Sequence, residues 1–242
     1  MRRELSITES LRMSDGRSLI DRIRLGESSI RVLLVVLVVD VFIVAPIAQR
    51  ETLLQPVIHS IVLLTGIAIA FRSRAPTTAA VGILAVLSFG AHWTYHHHPT
   101  VPLAYADTAL SLVFCSIITG VMLVQVFRAG PITLHRIEGA VTVYLLVVYS
   151  WALACQLIAL SDPMAFSFPV APLNPQNLRF RMLYFSTTTM TTASYGDIIP
   201  LSPLARSLAA LESMIGQLFP ALLLARLVAM ELHYRQQRGQ SA

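Results

Sequence analysis

The chain has 242 residues, of which 55% are hydrophobic and 13% charged, and its mean hydropathy is +0.66. A soluble domain carries about twice that charged fraction, so an ordinary soluble enzyme, a disordered chain and a single large cytosolic domain are excluded. The net charge of +5 is no nucleic-acid signature: all 18 basic residues are Arg, and seven of them lie at or before Arg31 beside five acids. That is the pattern of a basic tail next to a membrane.

Residues 1–31 therefore read as a cytoplasmic basic tail. A secretory signal peptide would put an apolar core nearer the start. Ser14-Asp15 could cap a short interfacial helix ending near Gly26, with Leu19, Ile20 and Ile23 on one side; a floppy tail is the competing reading.

Six hydrophobic segments follow: Val32–Ile47, Pro56–Phe71, Thr77–Trp93, Thr108–Phe127, Ile137–Leu160 and Leu204–Met230. Uncharged runs of about 20 residues suffice to cross a hydrocarbon core about 30 Å thick. No alternating pattern of a membrane barrel competes. The expected fold class is all-α: a polytopic membrane protein with six transmembrane helices and one re-entrant helix and loop. Its units are the tail (1–31), a four-helix membrane region (32–136), a pore domain (137–231) and a short cytoplasmic tail (232–242).

With the N-terminus inside, Arg72, Arg74, Arg128, Arg136, Arg235 and Arg238 join the tail arginines on the cytoplasmic side. Arg50, Arg179, Arg181 and Arg206 fall opposite, and Arg226 lies near the inner end of the sixth segment, where it could snorkel. The bias fits the positive-inside rule and an even number of crossings, which puts both termini in the cytoplasm of a multi-pass cell-membrane protein.

Asp40 lies within the first segment. An acid there is a functional candidate; otherwise it sits near an interface or pairs with His59 or His92. The run His96-His97-His98 could bind metal or sense pH, but adjacent histidines lack structural zinc spacing, and a solvated loop is the simpler reading. The fourth segment has no charge, so it lacks the arginines of a voltage sensor, and packing around the pore is the expected role of the first four segments. Cys115 and Cys155 lie in apolar runs without ligand spacing and read as small buried hydrophobes.

The informative stretch is Arg181–Pro200, where Ser186–Thr192 holds six Ser/Thr in seven residues. Asn174-Pro175 is a helix start, with Asn as cap and Pro at the first position. A half-helix from about Pro175 to Met190 is expected to enter the membrane and stop. Non-helical backbone at that depth survives only when buried in protein or lining a water-filled path.

This stretch resembles the pore loop of tetrameric potassium channels, whose filter reads T-V-G-Y-G-D; here stands Thr192-Ala193-Ser194-Tyr195-Gly196-Asp197. The resemblance runs from about Leu183 to Gly216, with Tyr184 and Phe185 on the pore helix, Pro200 after the filter and Arg206 opening the last helix. It implies a passive potassium channel whose carbonyls replace the hydration shell of a K⁺ ion at Thr192, Ala193, Ser194 and Tyr195. Gly196 would permit the outer turn and Asp197 would gather cations at the mouth. Tyr184, Phe185, Thr188 and Thr191 would support the filter from the pore helix. One loop per chain cannot close a ring, so a homotetramer in a lipid bilayer is implied. No cofactor beyond the permeant K⁺, no nucleic acid, no enzymatic activity and no cytosolic regulatory domain is expected.

Ser194 departs from the pattern, because a glycine there would adopt positive φ freely. A weakly selective or Na⁺-permeant channel is therefore the alternative. A silent assembly subunit or a secondary transporter comes lower, since paired broken helices are missing. On the last segment, Gly216 is placed as a hinge and Pro220 as a kink. Phe219 and Leu223 form a candidate hydrophobic constriction. Glu212, one turn before Gly216, is expected to hydrogen-bond pore-helix hydroxyls, with gating as the other option.

Overall fold

The computed structural model describes residues 29–44, 54–72, 77–127, 133–169 and 175–240. The tail before residue 29, including Ser14 and Asp15, and Arg50, Arg74, Arg128 and Asn174 lie outside these residues.

Helix α1 covers residues 29–39 and widens into a π-helical turn at Asp40–Val44. Ile30, Leu33, Leu37, Asp40 and Val44 are its buried stripe, at the three- and four-residue spacing of one helix face. There follow α2 (Leu54–Arg72), α3 (Thr77–His97), α4 (Val101–Phe127) and α5 (Leu134–Ser161). A two-residue strand β1 (Phe166–Ser167) leads to α6 (Pro175–Met190), then β2 (Ile199–Pro200) and the long α7 (Pro203–Gln240).

The helices extend past the apolar runs that announce them. Helix α3 carries His96 and His97 in its last turn, so these two histidines belong to a helix end and not to a loop. Helix α4 starts at Val101, seven residues before the uncharged run, because Asp107 is buried and paired. A charge with a partner does not interrupt a packed helix. Helix α7 runs through Pro220 and on through the polar segment after Met230.

Helix α5 is the centre of the molecule, packed against α4, α6 and α7. Its buried residues, among them Val143, Leu146, Leu153 and Cys155, fall on more than one face, as a helix enclosed by neighbours requires. Helices α2, α3 and α4 pack in succession beside it. Both cysteines are buried and unpaired. At one end Arg31 of α1 pairs with Glu138 of α5 at 2.9 Å, and Arg136 Nη1 approaches Met230 Sδ of α7 at 3.6 Å.

Among the described residues, Val101–Phe127, Leu134–Ser161 and Pro203–Met230 are long and apolar enough to cross a membrane. The shorter apolar stretch Val57–Ile69 lies in α2. The chain is thus a mostly helical membrane protein. The one departure from an all-helical description among the described residues is the pair β1–β2, antiparallel with Phe166 opposite Pro200 and Ser167 opposite Ile199.

Candidate functional site

Helix α6 begins at Pro175, where a missing N–H is harmless, and ends at Met190. Its threonines would be awkward in apolar surroundings if their hydroxyls were free. Instead Thr187 and Thr188 turn back onto their own helix, Thr187 Oγ1 donating to Leu183 O at 2.7 Å and Thr188 Oγ1 to Phe185 O at 3.0 Å, and just past its end Thr191 Oγ1 donates to Thr187 O at 2.8 Å. This satisfies the hydroxyls locally.

The backbone then leaves the helix in an unusual way. Thr192 has φ +58°, Ser194 φ +36° and Gly196 φ +79°, while Ala193 and Tyr195 between them keep negative φ. Positive φ is uncommon outside glycine, and for a β-branched residue such as Thr192 it is a true outlier. Two hydrogen bonds hold it: Thr192 N–H donates to Thr189 O at 3.0 Å and Ser194 N–H to Thr188 O at 3.2 Å. The carbonyls left over at the helix end are thereby used to fold the loop back. Residues 191–197 are all exposed in the single chain.

Aromatic residues flank the loop. Tyr184 stacks on Tyr195 with ring centroids 6.5 Å apart and planes within 9°. Phe185 is buried and meets Phe166 of β1 edge-on at 5.5 Å. Beyond the loop, Ile198 N–H donates to Asp197 Oδ1 at 3.1 Å, and Arg206 Nε donates to Pro200 O at 3.2 Å. Leu201 N–H donates to Ala165 O at 2.7 Å, so β1, β2 and the start of α7 form one frame around Asp197.

Behind the loop, α7 touches α6 through a narrow stripe. Ala205, Glu212 and Gly216 are its buried residues among the described side chains. Glu212 is fully buried and accepts a short hydrogen bond from Ser186 Oγ of α6, the hydroxyl contact expected of it. Ser186 Oγ also reaches Val148 O of α5 at 2.7 Å. A Cβ at Gly216 would stand 2.0 Å from Met190 O, so this glycine is required for close approach of α7 to the end of α6. Tyr144 Oη donates to that same carbonyl at 3.4 Å. Pro220, four residues on, leaves the Gly216 carbonyl without its helical N–H partner. Phe219 and Leu223 are half-buried against the chain's own core, and Phe219 meets Tyr144 at 5.8 Å; they lie between α7 and α5.

A second group of polar residues escaped the sequence reading. Arg179 entered it only as an outer-side charge, yet it is buried in α6 and donates to Asp107 Oδ2 of α4 at 2.8 Å. Its Nε donates to Gln156 Oε1 of α5 at 3.3 Å. His92 Nδ1 lies 3.0 Å from Asp107 Oδ1, and His59 Nε2 lies 3.4 Å from Ser111 Oγ. Asp40 is buried too, but His92 is turned to Asp107 and His59 to Ser111. The available signal was an arginine in the second turn of a helix expected to enter the membrane, which must find a partner.

A short helix that stops at Met190, left-handed residues at every second position after it and a long helix packed behind them make up the site. Residues 143–232 match the family model described as Ion channel, so this region is similar to the pore region of ion channels. The matched segment runs from within α5 to within α7 and takes in α6 and the loop. The family is one of channels, not of enzymes. Neither the curated proteins nor the solved structures give a match.

Proposed function

We propose that the chain conducts K⁺ passively as a homotetramer, through carbonyls of Thr192, Ala193, Ser194 and Tyr195 gathered around one axis. The observation that carries this reading is the alternation of φ at Thr192, Ser194 and Gly196. In an extended strand with all φ negative, successive carbonyls point to opposite sides. A left-handed residue at every second position turns them toward one side, the arrangement that replaces an ion's hydration shell. Strain of this kind concentrates at functional sites.

Exposure of the loop supports the tetramer. Residues 191–197 present irregular polar backbone on the surface of the single chain, which a membrane tolerates only when protein or a water-filled path covers it. Three further copies around an axis supply both. In this reading residues 32–136 pack around a pore domain of residues 137–231, six helices cross the cell membrane, and both termini are cytoplasmic. Asp197 sits at the mouth, Tyr184, Phe185, Thr188 and Thr191 brace the filter, and Gly216 with Pro220 marks the weak point of α7. Phe219 and Leu223 are the candidate hydrophobic constriction in this reading.

Ser194 favours one other reading. A side chain at φ +36° opposes the geometry that an evenly spaced carbonyl ladder needs, and weak selectivity with Na⁺ permeation is the consequence. Bi-ionic reversal potentials of the purified protein in planar bilayers separate the two. A reversal that follows the K⁺ gradient supports K⁺ selectivity; one near zero under opposed K⁺ and Na⁺ gradients overturns it.

A further inference from the structure

His59 of α2, His92 of α3 and Asp107 of α4 converge beside Arg179, and one donor atom from each lies within 4.8 Å of the others. All three are buried. His59 Nδ1 and His92 Nε2 are enclosed without any hydrogen-bond partner, although buried polar atoms are normally satisfied. The two rings face each other at a centroid distance of 4.3 Å. Both imidazoles are thus half-satisfied, the free nitrogen of His92 lying on the ring edge away from Asp107.

We propose that His59, His92 and Asp107 form a binding site for a borderline divalent transition metal of the zinc type, joining α2, α3 and α4 against α6. Two imidazoles and a carboxylate are a ligand set suited to such metals, with a further position open to water. Tetrahedral bonds of about 2.0–2.2 Å place ligand atoms about 3.4 Å apart, so small side-chain rotations close the set. Electrostatics agree. The buried carboxylates Asp40 and Asp107 and the guanidinium of Arg179 carry a formal charge of −1, and neutral imidazoles add none. Arg179 on one oxygen of Asp107 and Ser111 beside His59 supply the outer contacts that orient ligands.

The histidines at the end of α3 provide an approach. His96 lies one helical turn from His92 on the same face. Its ring is 5.5 Å from that of His97, which is exposed beside Trp93. Weak surface ligands lead inward to a buried, charged set.

The test uses the full chain purified in detergent, with Co²⁺ and Zn²⁺ as probes, in wild type and in a variant carrying His96→Gln, His97→Gln and His98→Gln. One tight Co²⁺ per chain is expected in both, with the strong visible absorption of a four-coordinate site, and it is lost in His59→Gln and in His92→Gln. Absence of tight binding in wild type overturns the proposal. So does binding that survives both single variants but disappears in the triple one. If the single variants unfold, X-ray absorption of the zinc-loaded triple variant decides: two imidazoles with oxygen support the site, and an all-oxygen shell overturns it.

Discussion

Gly216 of α7 lies against the last residue of α6 so closely that an added Cβ would meet the Met190 carbonyl oxygen at 2.0 Å and its carbon at 2.7 Å. The obstacle is backbone and cannot rotate away. Overpacking of a tight contact costs about 1–3 kcal/mol, so Gly216→Ala is expected to lose at least that much and to lower ion flux by displacing the end of α6. Gly120→Ala, inside α4 where nothing stands within 4 Å, is the control and is expected to be neutral or to gain up to about 1 kcal/mol from helix propensity. Thermal unfolding in detergent compares the two.

The Ser186–Glu212 contact joins the same two helices one turn earlier. Ser186→Ala removes the donor that Glu212 faces and leaves a buried carboxyl group unsatisfied, at about 1–3 kcal/mol. Ser150→Ala removes only a hydroxyl bonded to the carbonyl four residues back, at Leu146, and is expected to be nearly neutral. Equal unfolding midpoints for the two variants would refute the assigned role.

Relief of backbone strain at the loop is expected from Ser194→Gly. The left-handed conformation costs a side-chain-bearing residue about 1–2 kcal/mol, and the greater freedom of glycine in the unfolded chain offsets part of it. A net gain of about 1 kcal/mol per chain is expected, with the bi-ionic reversal potential moved toward K⁺. A raised melting temperature with an unchanged reversal potential would mean that Ser194 strains the loop without setting selectivity.

Breaking one side of the buried Asp107–Arg179 pair leaves the other charge without compensation, which costs about 3–5 kcal/mol. Arg179→Gln is therefore expected to destabilise severely. The double change Asp107→Leu with Arg179→Met should recover only part of the loss, because His92 and Gln156 lose their partners. Arg206→Gln, at an exposed arginine that donates to Pro200 O, should cost well under 1 kcal/mol. Denaturant unfolding of the four proteins provides the comparison.

Much of α6 and the loop after it is legible along the chain. The span Pro175–Met190 follows from a proline at a first helical position and from Ser/Thr residues that can satisfy their hydroxyls on their own helix. The loop after it was marked by the resemblance of Thr192–Asp197 to a channel filter, with Ser194 as the departure, yet Ser194 does adopt positive φ. The contact of Glu212 with a hydroxyl of α6 was expected, though not which hydroxyl. Helix ends were less legible. Hydropathy breaks at Asp107 and at the His96–His98 run, whereas α4 takes in the paired charge and α3 runs on to His97, whose ring meets that of His96 edge-on.

Sequence by itself determined the membrane class and the helix over Pro175–Met190, because these depend on apolar length and local spacing, while the loop from Thr192 to Asp197 was marked by its resemblance to a channel filter. Tertiary structure alone decided that Arg179 pairs with Asp107, 72 positions away. It also brought His59 and His92 to face one another, made Gly216 a point of backbone contact, and turned Phe219 toward Tyr144. Each of these depends on which helix faces move together, and hydropathy is blind to that: it scores a buried, partnered charge and an exposed one alike.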